Sequence, residues 1–200
     1  MRKSMIWLLV PLTLVLIGCS DSSGPDDDNG DDDPIDRVVT TVLGDGFMTV
    51  FDISEQAADE WTWFLFSTGE DVQRTDSWDF SLHFANFNVN GGSHGSGGVE
   101  LLWLDGDGFD DLDQAPAGDY VADMGDDDAG RAFNQGTDDY NGGWYNYNYQ
   151  THAMTLNPNR YYVIRTVDGD YVKFRITDFV WNNDTQAGYL ESEWGWIDAP

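Results

Sequence analysis

The densest run of side chains able to do chemistry is Leu104-Asp-Gly-Asp-Gly-Phe-Asp-Asp-Leu-Asp113, where five carboxylates surround two glycines. A hard cation takes six to eight oxygens, and aspartates spaced around a tight glycine turn can supply them. With Gly108 at the sixth position of a calcium loop, Asp105 and Asp107 fall third and fifth and Asp111 ninth. The first position is then Trp103 and the twelfth Gln114, both wrong for an EF-hand. A looser calcium turn on Asp105, Asp107 and Asp111 stays open beside the plainer reading of a solvated acidic turn. The acidic runs at 126–128 and 138–139 lack such glycines and read as solvated faces. His83, His94 and His152 are too scattered to form a metal triad. The chain carries no nucleophile elbow, phosphate loop, dinucleotide fingerprint or His-Glu-x-x-His. Carboxylate pairs are so abundant that no couple stands out for acid–base work, and the chain is read as a non-enzyme.

Charge narrows the partners. The 200 residues hold 37 acidic and nine basic side chains, a net of −28. Such a surface repels phosphate backbones, which excludes nucleic acid as a partner, and disfavours adsorption to anionic lipid. The first residues instead read as an address. Arg2 and Lys3 form a basic head, and an apolar run from Met5 to Ile17 follows. A spanning helix needs about 20 apolar residues, so this shorter run fits a secretory signal, residues 1–18. It ends Leu16-Ile17-Gly18-Cys19, which resembles a bacterial lipobox, and Cys19 is the chain's single cysteine. That excludes a disulfide framework and makes Cys19 the expected lipidation site. Each buried acyl methylene contributes about 0.8 kcal/mol, so a multiply acylated Cys19 is a firm membrane anchor. Residues 19–36 hold eight aspartates and one large apolar residue, Ile35. They cannot bury enough to offset their ordering entropy and read as a disordered acidic tether. The stretch resembles the export tag of surface lipoproteins in some Gram-negative bacteria; a simple solvated spacer is the alternative. Residues 37–200 keep 29 acidic and seven basic residues, a net of −22.

The elements that must position any site read as strands. Short aromatic and β-branched runs recur at 47–53, 61–67, 78–89, 99–104, 144–149, 161–167, 171–176 and 188–197. Residues 54–60 read as a single helical turn, and Asp168-Gly169-Asp170 as a hairpin turn. Alternation along 78–89 places Trp78, Phe80, Leu82 and Phe84 on one face, with His83 opposite as a structural histidine. Most of the nine tryptophans alternate as core residues. The segment 90–98, rich in glycine, reads as a flexible loop carrying His94. Helical periodicity is not sustained, so residues 37–200 are expected to form one all-β, mostly antiparallel domain.

Three stretches then point to a family. They are Trp61 to Gly69; Ser77-Trp-Asp-Phe-Ser-Leu-His-Phe84 leading to Asn88-Val-Asn-Gly-Gly92; and Trp144-Tyr-Asn-Tyr-Asn-Tyr-Gln-Thr-His-Ala-Met154, continuing through Tyr161-Tyr-Val-Ile-Arg-Thr-Val-Asp-Gly-Asp170. With Ala115-Pro-Ala-Gly118 between them, these resemble the HmuY family of lipid-anchored haem-binding proteins over about residues 45–195. The resemblance implies an all-β fold, haem as cofactor, two axial side chains, an outer-membrane haem receptor as partner, and a role in iron acquisition by capture and handover. Haem iron accepts His, Met, Cys or Tyr. The family's paired His or paired Met come from the segment after the Ala-Pro-Ala-Gly turn and from near the Tyr-Asn-Tyr strand. By position, Met124 suits the first place and His152 or Met154 the second; there is no His–His pair. Arg131 and Arg160 are the candidate contacts for the haem propionates. Outer-membrane, lipid-anchored placement follows, with cell-surface exposure open. The rival reading is a calcium-dependent or aromatic-platform surface module, in which tryptophan rings stack on glycans.

Overall fold

The computed structural model describes residues 37–57, 60–125, 130–134 and 143–200. The signal segment, Cys19, the tether and the acidic runs at 126–128 and 138–139 lie outside them. The described chain is all-β and antiparallel. A six-stranded sheet has the order β1 (Val38–Leu43), β2 (Gly46–Asp52), β12 (Ala187–Ile197), β11 (Tyr171–Asn182), β10 (Arg160–Arg165), β7 (Glu100–Asp105). A four-stranded sheet has the order β4 (Glu70–Val72), β3 (Thr62–Leu65), β5 (Phe80–His83), β6 (Asn86–Val89). A separate hairpin pairs β8 (Tyr145–Asn148) with β9 (Ala153–Leu156). The one helical element among the described residues is the 3-10 turn Ala132–Asn134.

The two larger sheets pack face to face through aromatic rings. Alternation along β3 and β5 sends Thr62, Phe64, Phe80 and Leu82 inward. Phe80 sits at the centre, with Phe64 at 5.1 Å in its own sheet and Phe51 at 5.8 Å and Phe174 at 5.7 Å across the interface. Phe66 meets Trp194 edge-on at 5.0 Å.

Three expectations are corrected. Residues 78–89 are not one strand but the β5–β6 hairpin, in which Leu82 pairs with Phe87 and His83 with Asn86. The two-residue loop is Phe84-Ala85, with Phe84 at φ 54°. A left-handed phenylalanine is strained, and no glycine or Asn-Gly pair marks the turn in the sequence. The conformation is held from outside: the Phe84 amide donates to Gln56 Oε1 at 2.7 Å, and its ring packs edge-on against Trp181 at 4.7 Å. Residues 54–57 form turns rather than a helical turn. Strand β11 runs past Ile176 to Asn182 because the register shifts between Ile176 and Asp178. That bulge reverses the alternation, so Phe179 and Trp181 turn towards the core, as Val172, Phe174 and Ile176 do before it. Strand β12 lies between β2 and β11.

One buried carboxylate ties the sheets together. Asp79 is fully buried just before β5. Its oxygens accept from the Phe66 amide at 2.8 Å and from the Val167 amide at 2.7 Å, the second in the β10–β11 loop. Burial pushes its carboxyl up to about 6 from 3.8, against the pull of those amides and with a further upward push from Asp168. A raised acid pKa means the folded chain binds this proton more tightly than the unfolded one. The contribution is therefore full below about pH 4 and is lost as pH rises through about 6, a change of roughly 3 kcal/mol at most. Urea unfolding of wild type and Asp79→Asn between pH 4 and 7 checks this. The stability of wild type relative to the variant is expected to fall with rising pH over that window.

Candidate functional site

Residues 121–124 form no strand of their own, yet they are fixed. Val121 and Leu101 exchange both backbone hydrogen bonds at 2.8 and 2.9 Å, and the Asp123 carbonyl accepts from the Ser93 amide at 2.8 Å. Gly92 faces Asp123 at φ 62°, and a Cβ there would run into the Asp123 carbonyl. Only glycine allows that approach.

The Asp123 side chain, buried with the residue 2% exposed, is the hub. Oδ1 accepts from the Ala132 amide at 2.6 Å, and Oδ2 from the Val89 amide at 2.8 Å. His94 Nδ1 lies 2.9 Å from Oδ2. Burial pushes this carboxyl above the usual range, while the two amides and His94 pull it back. The glycine loop expected to be flexible is thus anchored. Asn90 adds to this, donating from Nδ2 to the Trp78 carbonyl at 2.8 Å and accepting from the Gly97 amide at 3.0 Å. His83, as expected, faces away from Leu82, with Nε2 3.1 Å from the Ala57 carbonyl.

This hub places the first sequence-predicted donor. Met124 follows Asp123, donates its amide to the Gly130 carbonyl at 2.7 Å, and leaves its side chain outward, the residue 74% exposed. The chain continues from Gly130 into the 3-10 turn. Gly143, just before β8, packs against the far end of that turn, at Phe133 and Asn134. The Met124 segment and the β8–β9 hairpin therefore flank one short element.

His152 lies in the turn of that hairpin, exposed, at φ 56°. Tyr147 reaches across the strands so that its hydroxyl lies 2.7 Å from His152 Nδ1. A groove of about 650 Å³ runs over the hairpin, lined by Tyr147, Tyr149, Thr151 and Ala153 among others. Met154 is different: it is half-buried and packs against the core. Met124, His152 and Met154 do not line a common cleft among the three whose walls are described. Exposed thioether and imidazole are nevertheless donors that haem iron accepts, so the side chains present fit that group.

The other candidates are engaged elsewhere. Arg160 is buried, forks onto both oxygens of Asp105 at 2.8 and 3.3 Å, and lies 4.9 Å over the Trp103 ring. It is a structural arginine, not an open propionate contact. Arg131 donates to Asn88 Oδ1 at 3.0 Å and Asn86 Oδ1 at 3.4 Å. The calcium reading finds no support. Arg160 takes Asp105, Asp107 and Asp111 are exposed, and Phe109 anchors the loop under Arg175 at 4.2 Å. Among the described residues no three His, Cys, Asp or Glu converge on a metal position. Sequence reasoning missed Asp123 and Tyr147. Neither lies in a motif, since their roles arise from contacts across the fold.

The HmuY protein model matches residues 57–194. The chain belongs to the HmuY family. A search of curated proteins returns no relative. Among solved structures, a Bacteroides fragilis protein assigned as a lipoprotein is similar at 16% identity and TM-score 0.54, over 78% of this chain and 94% of that one. A Bacteroides vulgatus protein assigned as HmuY-like and haem-binding is similar at 18% identity and TM-score 0.52, over 74% and 90%. Apo PinO from Porphyromonas gingivitis follows at 14% identity and TM-score 0.50, over 76% and 97%. At these identities the likeness shows a shared fold.

Removing the hub carboxylate should loosen three segments at once. Asp123→Ala leaves the Val89 and Ala132 amides buried without acceptors, at about 1–3 kcal/mol each. Chemical denaturation is expected to show a loss of roughly 3 kcal/mol or more. Hydrogen exchange should show those two amides losing protection first.

Proposed function

We propose that this chain binds haem, with Met124 and His152 as the axial ligands. The observation that carries the reading is the placement of Met124. In a chain of the HmuY family, an exposed thioether stands on backbone next to the buried Asp123 hub, beside the 3-10 turn against which Gly143, at the base of the His152 hairpin, packs. His152 is the better second donor because Met154 has its side chain against the core. The Tyr147 hydroxyl at Nδ1 orients the imidazole and leaves Nε2 for a metal. The haem-binding assignment of the Bacteroides vulgatus relative supports the same ligand. Bound iron would supply the coordination; this chain's part is to present the two donors and aromatic surface from Tyr147 and Tyr149. A net charge of −22 on residues 37–200 favours propionates directed to solvent.

The protein acts by binding rather than by catalysis. Cys19, acylated, would anchor it to the outer membrane, with the acidic tether holding the domain off the lipid surface. Capture of haem and handover to an outer-membrane receptor, in iron acquisition, is the role this arrangement serves.

Haemin titration of the full chain is expected to shift the Soret band with saturation at one equivalent. Met124→Ala and His152→Ala should each weaken binding by about tenfold or more and convert the spectrum towards a high-spin form. Met154→Ala should leave it unchanged. An unshifted band, or an unchanged titration in the Met124→Ala/His152→Ala double variant, contradicts the assignment.

A further inference from the structure

The outer face of the four-stranded sheet carries a second cleft, of about 570 Å³. Its floor is a cross-strand row fixed by register: Trp63 pairs with Ser81, and Ser81 with Asn88. Alternation turns these three away from the phenylalanine core, with Trp63 half-buried and Ser81 and Asn88 buried at the bottom of the cleft. Three tryptophans contribute to the wall. Trp61 and Trp63 are half-buried, and Trp78 meets Trp63 edge-on at 4.7 Å. Of the eight described tryptophans Trp78, Trp144 and Trp194 are buried and Trp103 and Trp181 pack half-buried against the core, which leaves Trp61, Trp63 and Trp196 outside it.

One buried polar group here lacks a hydrogen-bond partner, and one exposed cation has no acid beside it among the described residues. Ser81 is fully buried, and its hydroxyl makes no hydrogen bond. Such an orphan costs about 1–3 kcal/mol and calls for an explanation. Arg74 stands 5.5 Å over the Trp63 ring and pairs with no carboxylate among the described residues. In a chain of net −28 that is unusual, since Arg37, Arg160, Arg165 and Arg175 all hold acids. The carboxylate in the wall, Glu60, is already engaged by Arg37 at 2.9 Å.

We propose that this cleft binds one acidic saccharide unit, a pyranose ring bearing a carboxylate. The tryptophan surfaces suit the C–H face of a sugar ring. The Ser81 hydroxyl can both donate and accept, and the Asn88 amide adds donors, which together match ring hydroxyls. Arg74 offers a planar fork of N–H donors to the carboxylate. An uncharged sugar would leave Arg74 unmatched, and an aromatic acid would leave Ser81 unmatched. Met124, His152 and Met154 are not in the wall, although His94 and Arg131, which border the Asp123 hub, are.

Tryptophan fluorescence of the full chain, titrated separately with galacturonate, glucuronate, galactose and benzoate, tests this. At least one of the two acidic sugars should give a saturable change, with galactose and benzoate each weaker by about tenfold. Arg74→Ala should bring the acidic sugar down to galactose. Ser81→Ala should weaken the acidic sugar several-fold without lowering the melting temperature, and both variants should titrate haemin as wild type does. The proposal is overturned if neither acidic sugar saturates, if galactose or benzoate binds as tightly, or if both variants bind the acidic sugar like wild type. In the last case water alone satisfies Ser81.

Discussion

A carboxylate taken out of water needs donors, and Asp123 draws its donors from three parts of the chain: the end of β6, the glycine loop and the 3-10 turn. None of these contacts belongs to a strand ladder. They do for irregular backbone what pairing does for the sheets, because each buried amide must have an acceptor. Asp79 applies the same solution between the end of β3 and the β10–β11 loop. Among the described residues, these two buried carboxylates tie irregular loops to the sheets.

The sheets were legible because alternation of aromatic and polar residues records which face is buried. Strands β2 and β3 follow from that pattern, and β7 and β10 from short continuous apolar runs of strand-forming residues. Alternation failed where the period breaks or the backbone is forced. The bulge at Thr177 hid the second half of β11, and the Phe84 turn uses a residue no turn rule favours. Strand β1 escaped notice for another reason: it is an edge strand with Val39, Val42 and Leu43 exposed, so it lacks the inside–outside alternation of a half-buried strand. The candidate donors were legible only through the family's pattern. Their support was not, since Asp123 gathers partners up to 34 positions away.

Two of the sequence's site candidates answer each other. Arg160 and Asp105 looked available in sequence, one for propionates and the other for calcium, and the fold spends each on the other. Opposite charges on neighbouring strands, here a cross-strand pair of β10 and β7, are structural partners before they are ligands. By contrast, Met124 is an exposed residue whose backbone is tied down beside the Asp123 hub, and His152 is an exposed imidazole met at Nδ1 by the Tyr147 hydroxyl. A ligand donor on fixed backbone loses little ordering entropy on binding.

Iron-edge X-ray absorption on the haem-loaded full chain measures the axial ligands directly. The account predicts one sulfur and one imidazole nitrogen completing the coordination of the iron. A spectrum without axial sulfur, or with two imidazoles, would contradict it.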